Sequence, residues 1–329
     1  MRERIDDEGR IDDEVETQMT ETAEPVLAVD VGGTKIAVAV VRTDGTITHE
    51  LRAPTLKDVD AEATFAPAAD VIAEIIEQAG LSGRVRVGIG SAGPIDGPAG
   101  SVSPVNVAAW REFPIVDRVR QAVGAATGVE PIVGLAGDGH CMALGEHWLG
   151  AGSDVDSMVG MVLSTGVGAG AVINGRLYGG STGNAVILGH ISVNAWGPRC
   201  VCGGHGCVES YARGPAMVQQ AREAGWTGGD DAEALTASAR AGDPIAIDVI
   251  DRGMRALAAG IAATATLLDV ETFVLGGGVS RAGEVIFAPL RRHLGSYAAL
   301  SYVQHLEVRP AVLDNAGILG AAALALTLD

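Results

Sequence analysis

Four side chains in the glycine-rich stretch 189–209 have the types and spacing of a metal site. Cys200, Cys202 and Cys207 form a C-x-C-x4-C array that begins ten residues after His190. Three thiolates and one imidazole match the tetrahedral, soft-ligand preference of Zn2+. Because protein would fill all four positions, none is left for a water nucleophile, and the predicted zinc ion is structural.

A pair of disulfides or a set of buried thiols is the alternative for these cysteines. Disulfides suit small secreted domains, whereas this chain has 329 residues and a further cysteine, Cys141, outside the cluster. The zinc interpretation is therefore preferred. A metal-held loop would position Glu209 and the free ring nitrogen of His190, both of which can hydrogen-bond a polar ligand.

Asp138 lies where a predicted strand, Pro131–Leu135, is followed by a predicted helix. As a helix cap, its carboxylate would accept hydrogen bonds from free N–H groups. As a general base, it would take the proton from a substrate hydroxyl. The local sequence A-G-D-G-H leaves both interpretations open.

A glycine-rich turn follows the first predicted strand, in V-L-A-V-D-V-G-G-T-K-I-A-V-A-V-V from Val26. Gly32 and Gly33 have no side chains, so backbone N–H groups there can approach a phosphate. Thr34 adds a hydroxyl, and Asp30 is placed to hold a hydrated Mg2+. Taken alone, this pattern is equally typical of an ordinary hairpin turn.

The same design recurs later in the chain. Met158–Leu163 is a predicted strand that ends in S-T-G-V-G-A-G, and Ala171–Ile173 is its predicted partner. Two phosphate-sized hairpins of one design are far more specific than either alone. A third glycine cluster, L-G-G-G-V-S at 275–280, follows another predicted strand.

Helical periodicity predicts most of the remaining elements. Apolar residues at helical spacing predict a helix from Ala61 that ends at Gly80, and residues 212–268 are predicted to be mostly helical. In the loop after the predicted strand Val85–Ile89, Asn106 and Trp110 are either a cap and a core anchor or side chains of a sugar site.

Composition and charge exclude several classes of function. The chain is 47% hydrophobic, and its length favours two domains. It carries a net charge of −18 without a Lys/Arg-rich segment, so neither nucleic acid nor an anionic membrane is an expected partner. The apolar runs are too short to span a bilayer, and the acidic N-terminus does not have the pattern of a secretory signal, so a cytoplasmic location is expected.

Residues 1–24 hold ten acidic side chains against three arginines, a charge of −7 that leaves −11 for the rest of the chain. They include few apolar residues, which predicts a disordered acidic tail. Met19 is a second candidate for the first residue.

In this order, the motifs resemble the ROK family of sugar kinases and sugar-responsive repressors, which is built on the actin/hexokinase ATPase fold. The resemblance runs from about Val26 to the C-terminus. It rests on D-V-G-G-T-K at 30–35, the aspartate loop with A-L-G-E at 143–146, S-T-G-V-G-A-G at 164–170, G-H at 189–190 with C-x-C-G-x-x-G-C-x-E through 209, and L-G-G-G-V-S at 275–280.

The resemblance implies a two-domain α/β, ribonuclease H-like fold with an interdomain cleft and a small zinc-stapled loop. The expected domains are residues 25–137, completed by a C-terminal helix at 315–329, and residues 138–314, which include the zinc loop 189–209. It also implies a homodimer or homotetramer.

The resemblance further implies ATP-dependent phosphorylation of a hexose or hexose derivative, with Asp138 as the catalytic base. Such a reaction needs positioned phosphates, a metal ion and a carboxylate near the acceptor hydroxyl. ATP and Mg2+ are assigned to Asp30, Gly32, Gly33, Thr34, Lys35, Thr165, Gly166, Gly168, Gly277 and Gly278. The sugar is assigned to Asn106, Asp138, His190 and Glu209, and His190 is also a zinc ligand.

Two positions depart from the family pattern. Gly137 stands where such kinases usually have Asn, and Ile187 where they usually have Glu. An unpaired buried hydroxyl costs on the order of 1 to 3 kcal/mol, so these changes favour a sugar that differs from glucose or has fewer hydroxyls. A sugar-binding regulatory protein with weak or no kinase activity is the alternative. A DNA-binding repressor is not expected, because only about 25 residues, mostly acidic or polar, precede the first strand.

Overall fold

The computed structural model describes residues 24–329, so the predicted acidic tail lies outside the described residues apart from Glu24. These residues form an α/β fold. The strands are β1 (Val26–Val31), β2 (Lys35–Val41), β3 (Ile47–Pro54), β4 (Arg86–Ser91), β5 (Ile95–Asp96), β6 (Ser101–Val102), β7 (Ile132–Gly137), β8 (Met158–Leu163), β9 (Val167–Ile173), β10 (Arg176–Tyr178), β11 (Thr272–Gly276) and β12 (Glu307–Pro310).

The helices alternate with groups of strands. They are α1 (Ala61–Ala79), α2 (Ile115–Thr127), α3 (Asp138–Leu149), α4 (Glu209–Ala212), α5 (Gly214–Glu223), α6 (Ala232–Arg240), α7 (Pro244–Leu268), α8 (Glu284–Tyr297) and α9 (Ala316–Leu326). Single 3-10 turns lie at Leu188–His190, Ser280–Ala282 and Ser301–Val303. None of the helices in residues 24–329 combines the length and apolar content that a membrane-spanning helix needs.

Two five-stranded sheets have the same connectivity. The first has the order β3-β2-β1-β4-β7 and the second the order β10-β9-β8-β11-β12. Each begins with an antiparallel meander of three consecutive strands, and two further strands then add in parallel beside the first strand of that meander. The repeated hairpin design in the sequence therefore belongs to a repeated sheet.

The central strands β1 and β8 are buried almost throughout, as expected for strands that are covered on both faces. On one face of the first sheet, apolar side chains pack against α1 and α2. The other face packs against α9, and α9 packs in turn against α3, which lies on the second sheet. Small residues permit this close packing, because a Cβ atom at Gly88 or Gly320 would overlap backbone atoms of the neighbouring helix.

Glu146, the carboxylate of the A-L-G-E motif, has a structural role in this packing. It is fully buried in α3, and one of its oxygens accepts hydrogen bonds from the N–H groups of Val312 (3.1 Å) and Leu313 (2.9 Å). The other oxygen accepts one from the N–H of Ala151 at 2.8 Å. A buried carboxylate is stable when hydrogen bonds satisfy it, and these bonds join α3 to the segment that leads into α9.

Several predicted elements are confirmed. The helix from Ala61 begins after Asp60, whose side chain accepts a hydrogen bond from the N–H of Ala63, and Gly80 ends it with φ +63°. Met158–Leu163 is a strand with the predicted bounds. Residues 212–268 are mostly helical, as expected.

The partner of that strand begins earlier than predicted, at Val167 and not at Ala171. Gly168 and Gly170, which were predicted to belong to the turn, lie within β9 and pair with β8. Gly170 is required by packing, since a Cβ atom there would lie only 2.5 Å from Cα of His140 in α3. A glycine of this kind lets a helix approach the sheet and does not end the strand.

The division into domains at residues 137 and 138 stays a prediction. For reference, we call residues 24–137 with α9 the first half of the protein, and residues 138–310 the second half. Within the second half, the candidate metal loop 189–209 contains one 3-10 turn and otherwise little regular structure.

Candidate functional site

The first hairpin, between β1 and β2, uses only part of its backbone to close the turn. The N–H of Gly32 donates to the carbonyl of Lys35 at 3.0 Å. Thr55, from the end of β3, donates its hydroxyl to the carbonyl of Gly32 at 2.8 Å and its N–H to that of Thr34 at 3.0 Å. Within residues 24–329, the N–H groups of Gly33 and Thr34 have no backbone partner. These two groups, but not that of Gly32, remain for an anion such as phosphate.

The second hairpin, between β8 and β9, has the same property. The N–H of Ser164 donates to the carbonyl of Gly166 at 2.9 Å, and the N–H of Val167 donates to Oε2 of Glu209 at 2.9 Å. Across the described part of the chain, the N–H groups of Thr165 and Gly166 bond to no backbone carbonyl. Each of the two hairpins therefore offers a pair of adjacent donors.

The third glycine cluster lies against the second hairpin. Gly277 has φ +95°, and a Cβ atom there would overlap the carbonyl of Leu163, so the position requires glycine. Gly278 and Thr165 line a pocket of about 730 Å3 that also includes Ser164, Pro215, Asp231, Arg240 and Arg281. The volume is in the range of small-molecule sites. Gly277 shapes this pocket without lining it.

Asp30, at the end of β1, carries a perturbed carboxyl group. Burial and, to a smaller extent, the negative charge of Asp138 raise its pKa to about 6, against the opposing positive charge of Lys35. The two carboxylates therefore lie near enough to influence each other. Like charges that raise a pKa in this way are typical of functional sites, although structural networks also produce them.

Asp138 is the first residue of α3. Its side chain reaches solvent while protein surrounds it on other sides, and this burial raises its pKa against the opposing hydrogen bond from the N–H of Gly139. That bond, to Oδ1 at 2.7 Å, is its one hydrogen bond with the described residues. A capping residue stands just before the first helical residue, and in α3 that position is held by Gly137 and not by Asp138. One oxygen is therefore free to accept a proton.

Asn106 and Trp110 have different environments. Asn106 is exposed in a turn, and its amide lies so close to Gly33 that a Cβ atom there would overlap it. Trp110 is fully buried, donates its ring N–H to the carbonyl of Ala61 at 3.1 Å and stacks on Phe113 at 4.6 Å. Trp110 is thus a core anchor, whereas Asn106 lies beside the first hairpin.

His190, Cys200, Cys202 and Cys207 converge as predicted, with their ligand atoms all within 4.8 Å of one another. Nδ1 of His190 is 3.7 Å from Sγ of Cys200, and Sγ of Cys202 is 3.7 Å from Sγ of Cys207. Metal–ligand bonds of the lengths usual for zinc place tetrahedral ligands about 3.6 to 3.8 Å apart. All four cysteines of the chain are free thiols, so the disulfide alternative is not supported.

The thiols of the cluster differ in acidity. Burial opposes ionisation of Cys200, but the backbone N–H of Cys202 and the hydroxyl of Ser210 are among the hydrogen bonds that lower its pKa to about 6. Burial and the neighbouring thiols raise the pKa of Cys207. Close thiols that share protons behave in this way, and a metal ion would remove the remaining protons.

Both ends of the candidate metal loop meet the second hairpin at Val167. Its N–H donates to Glu209, and its carbonyl lies so near Gly189 that a Cβ atom there would overlap it. One carboxylate oxygen of Glu209 is therefore engaged, and the other has no partner in the described chain. Since Nδ1 of His190 faces Cys200, Nε2 is its ring nitrogen left for another ligand.

Sequence reasoning missed His140. This side chain is buried, and its Nε2 atom has no hydrogen-bond partner within residues 24–329. Burial lowers its pKa, which the backbone of Ala185 partly offsets. A Cβ atom at Gly137 would lie 2.9 Å from Nδ1 of His140, so an asparagine at 137 would require the ring to move. The pattern G-D-G-H was the available signal: a small residue three positions before a bulky one in the first helical turn.

Comparison with known proteins gives a consistent result. The model of the ROK family matches residues 26–328. A glucokinase of Thermotoga maritima is 36% identical over 315 residues, which cover 91% of this chain and 96% of that protein. An N-acetylmannosamine kinase of Shigella flexneri is 33% identical over 301 residues, which cover 91% of this chain and 98% of that protein.

A solved structure agrees with these relatives. The ROK family glucokinase from Streptomyces griseus, in complex with glucose and AMPPNP, matches with a TM-score of 0.72 at 33% identity, covering 92% of this chain and 99% of that one. The predicted α/β fold is confirmed by this similarity and by the two mixed sheets. Because the family model and these similarities extend over nine-tenths of the sequence, the chain belongs to the ROK family.

Proposed function

We propose that this chain is an ATP-dependent sugar kinase that phosphorylates a hydroxyl group of a hexose or hexose derivative. The observation that carries the proposal is the pair of matching hairpins, each with two free N–H groups, together with Asp138 next to the second hairpin. Gly168 of β9 is the hairpin residue beside Asp138, since a Cβ atom there would lie 4.0 Å from Oδ1. Phosphoryl transfer to a hydroxyl requires groups that hold the phosphates, here hydrogen-bond donors, and a free carboxylate near the hydroxyl.

Asp138 acts as the general base in this proposal. The acceptor oxygen of the sugar forms a bond to the γ-phosphorus of ATP while the bond from that phosphorus to the β,γ-bridging oxygen breaks. ADP leaves, and the hydroxyl proton passes to the free carboxylate oxygen. The raised pKa of Asp138 makes its carboxylate a stronger proton acceptor than an exposed aspartate.

The nucleotide occupies the opposite side of the site. The free N–H groups of Gly33, Thr34, Thr165 and Gly166 bind its phosphates, and the 730 Å3 pocket beside Gly278 holds the nucleoside. Lys35 adds a positive charge near Asp30. When bound, Mg2+ neutralises charge on the phosphates, and the Asp30 carboxylate is the group that would hold its water shell.

His190, Cys200, Cys202 and Cys207 bind a structural zinc ion in this proposal. The support is the donor set, three thiols and one imidazole, and sulfur and nitrogen separations that suit zinc. Protein fills all four positions, so the ion would stabilise the loop and take no part in the reaction. Through Val167, the same loop supports the second hairpin.

The sugar contacts in this proposal are Asn106, Asp138, Nε2 of His190 and the free oxygen of Glu209. Gly137 has no side chain to offer, and Ile187 presents an apolar side chain that is 36% exposed. A sugar hydroxyl next to either would lack a partner. We therefore infer an acceptor that differs from glucose at those hydroxyls, within the range that the glucokinase and N-acetylmannosamine kinase relatives represent.

A sugar-binding regulatory protein with weak activity is the second candidate, and the missing polar groups at Gly137 and Ile187 favour it. A coupled ADP-release assay over hexoses, N-acetylhexosamines and ketoses separates the two. If the chain is a kinase, at least one sugar should give ADP release that requires both the enzyme and ATP. If no sugar is phosphorylated although sugars bind, the regulatory function replaces it.

Asp138→Asn is the direct test of the base. Asparagine can still accept the hydrogen bond from Gly139, but it cannot take a proton. With the best sugar, we expect kcat to fall roughly 100-fold or more, with ATP affinity changed by less than about 2-fold. Asp70→Asn, on the exposed face of α1, serves as the matched control and should keep full activity. If Asp138→Asn retains most of the activity, Asp138 is not the base.

A further inference from the structure

Besides the packing of α9 against α3, the two halves of the protein meet at a small contact in the chain segment that leads to His190. The side-chain amide of Asn184, in the second half, makes a two-point hydrogen bond with the backbone of Ile95 in the first half. Nδ2 donates to the carbonyl at 2.7 Å, and Oδ1 accepts from the N–H at 3.1 Å. Beside this pair, the N–H of Gly97 donates to the carbonyl of Thr182 at 2.9 Å. We call these three bonds the interhalf contact.

The interhalf contact is closely packed. Gly183 has φ +87°, and a Cβ atom there would lie 2.9 Å from Cδ1 of Ile95. A Cβ atom at Gly97 would lie 3.2 Å from the carbonyl oxygen of Thr182. Ile95 is itself buried in the core of the first half. A contact with this fit and these hydrogen bonds has a defined geometry and is not an incidental touch of two loops.

The chain runs from this contact directly to the sugar side of the site. Val186 has φ +60°, a conformation that β-branched residues rarely adopt and that persists only where the surroundings enforce it. The N–H of Leu188 donates to the carbonyl of Val186 at 2.8 Å. Val186 therefore lies between the interhalf contact and the segment that contains Ile187 and His190.

The same segment also approaches the candidate base. The backbone of Ala185 contacts the imidazole of His140, two residues after Asp138 in α3. Residues 182–190 are thus held by the first half at one end and by the candidate zinc cluster at the other, through His190. Any change in the distance between the halves must be transmitted to this segment.

We propose that Asn184 is a positioning residue for the acceptor sugar. Through the interhalf contact it fixes residues 185–190 relative to the first half, and sugar affinity therefore depends on it although it does not touch the sugar. The inference rests on the proposed kinase function for its substrate, but the contact itself does not. It also couples sugar binding and the interhalf contact in both directions. A sugar that binds more tightly when the contact is formed must in turn stabilise the contact.

Asn184→Ala removes both bonds to Ile95. We expect KM for the best sugar to rise roughly tenfold, while KM for ATP changes by less than about 2-fold, because the nucleotide pocket lies outside this segment. Ser181→Ala, an exposed neighbour whose side chain makes no hydrogen bond in the described residues, is the matched control and should behave as wild type. Asn184→Asp keeps the acceptor for the Ile95 N–H but replaces the donor, so it should be no better than Asn184→Ala.

Hydrogen exchange gives a readout that does not require turnover. Bound sugar should slow exchange of the Ile95 and Gly97 amides in wild type and in Ser181→Ala, and should do so much less in Asn184→Ala. An equal rise in both KM values, or the same sugar-dependent protection in Asn184→Ala as in wild type, overturns the proposal. If wild type phosphorylates no sugar but sugar still protects these amides through Asn184, the kinase proposal fails and this one stands.

Discussion

The folded protein destabilises the ionised form of the Asp30 carboxyl group, which is the form present near neutral pH. Burial first, and then the charge of Asp138, raise its folded pKa to about 6 from an ordinary value of 3.8. The folded state therefore binds the proton more tightly than the unfolded state does. The resulting contribution to stability is fully present below pH 4 and is lost as the pH rises through 6.

Asp30→Asn should remove this dependence. Without added Mg2+, the unfolding free energy of the variant relative to wild type should increase between pH 4 and pH 8 by on the order of 2 to 3 kcal/mol. Urea unfolding at pH 4, 6 and 8 in buffer without Mg2+ measures it, with Asp70→Asn as the control that follows wild type. Parallel curves for Asp30→Asn and wild type would show that the carboxyl titrates normally.

At the level of single residues, the sequence predicted chemical type better than role. The turn at Gly32 and Gly33 was expected to present its N–H groups to phosphate, but Gly32 uses its own to close the hairpin. Glu209 was expected to contact the sugar, and the sequence did not indicate that one of its oxygens accepts a hydrogen bond from the N–H of Val167, 42 residues earlier in the chain. Partners this distant leave no local pattern.

At the level of elements, the candidate metal loop is the part whose loss has the clearest consequence. Cys202→Ser should reduce zinc from one ion per chain to a small fraction, since a hydroxyl is a poor replacement for a thiolate ligand. We expect the Tm to fall by roughly 3 °C or more, and sugar affinity to fall with it because the loop supports Val167 and His190.

Elemental analysis of freshly purified protein and a thermal melt test this expectation. Cys141→Ala is the control, because Cys141 is buried in α3 outside the cluster and its loss should leave the zinc content at one. Wild-type protein without tightly held metal would exclude the zinc site altogether.

Periodicity predicted elements well where one face is buried. It predicted them poorly where a glycine can either form a turn or permit close packing. Helix α1 has a regular apolar face, a polar cap and a terminal glycine, and its bounds were predicted within one residue. In β9, Gly170 permits close approach of α3 but was interpreted as part of the hairpin turn. The short ribbon of β5 and β6 was not predicted, since its stretch is rich in glycine and proline and it pairs through only four residues.

At the level of the whole molecule, residues before Pro25 should be dispensable. They carry a charge of −7 and no apolar periodicity, and β1 begins only at Val26. A chain that begins at Met19 should keep its Tm within about 1 °C, in line with surface changes that leave packing intact, and its kcat/KM within about 2-fold. A chain that begins at Ala28 removes part of β1 and should fail to fold. Loss of folding or of turnover in the Met19 chain would contradict the expectation.

Helix α9 covers the first sheet, yet the whole second half separates it in sequence from that sheet. Roughly 180 residues lie between β7 and α9, and ribosomes add about 5 to 20 residues per second. For roughly 10 to 35 s of synthesis, the face of the sheet around Gly88 thus exists without its cover, while the second half emerges beside it. A nascent chain released before Ala316 has no means of closing that face. Completion of the first half therefore waits for synthesis of α9, and quality control can recognise chains that end before Ala316 by an exposed apolar sheet.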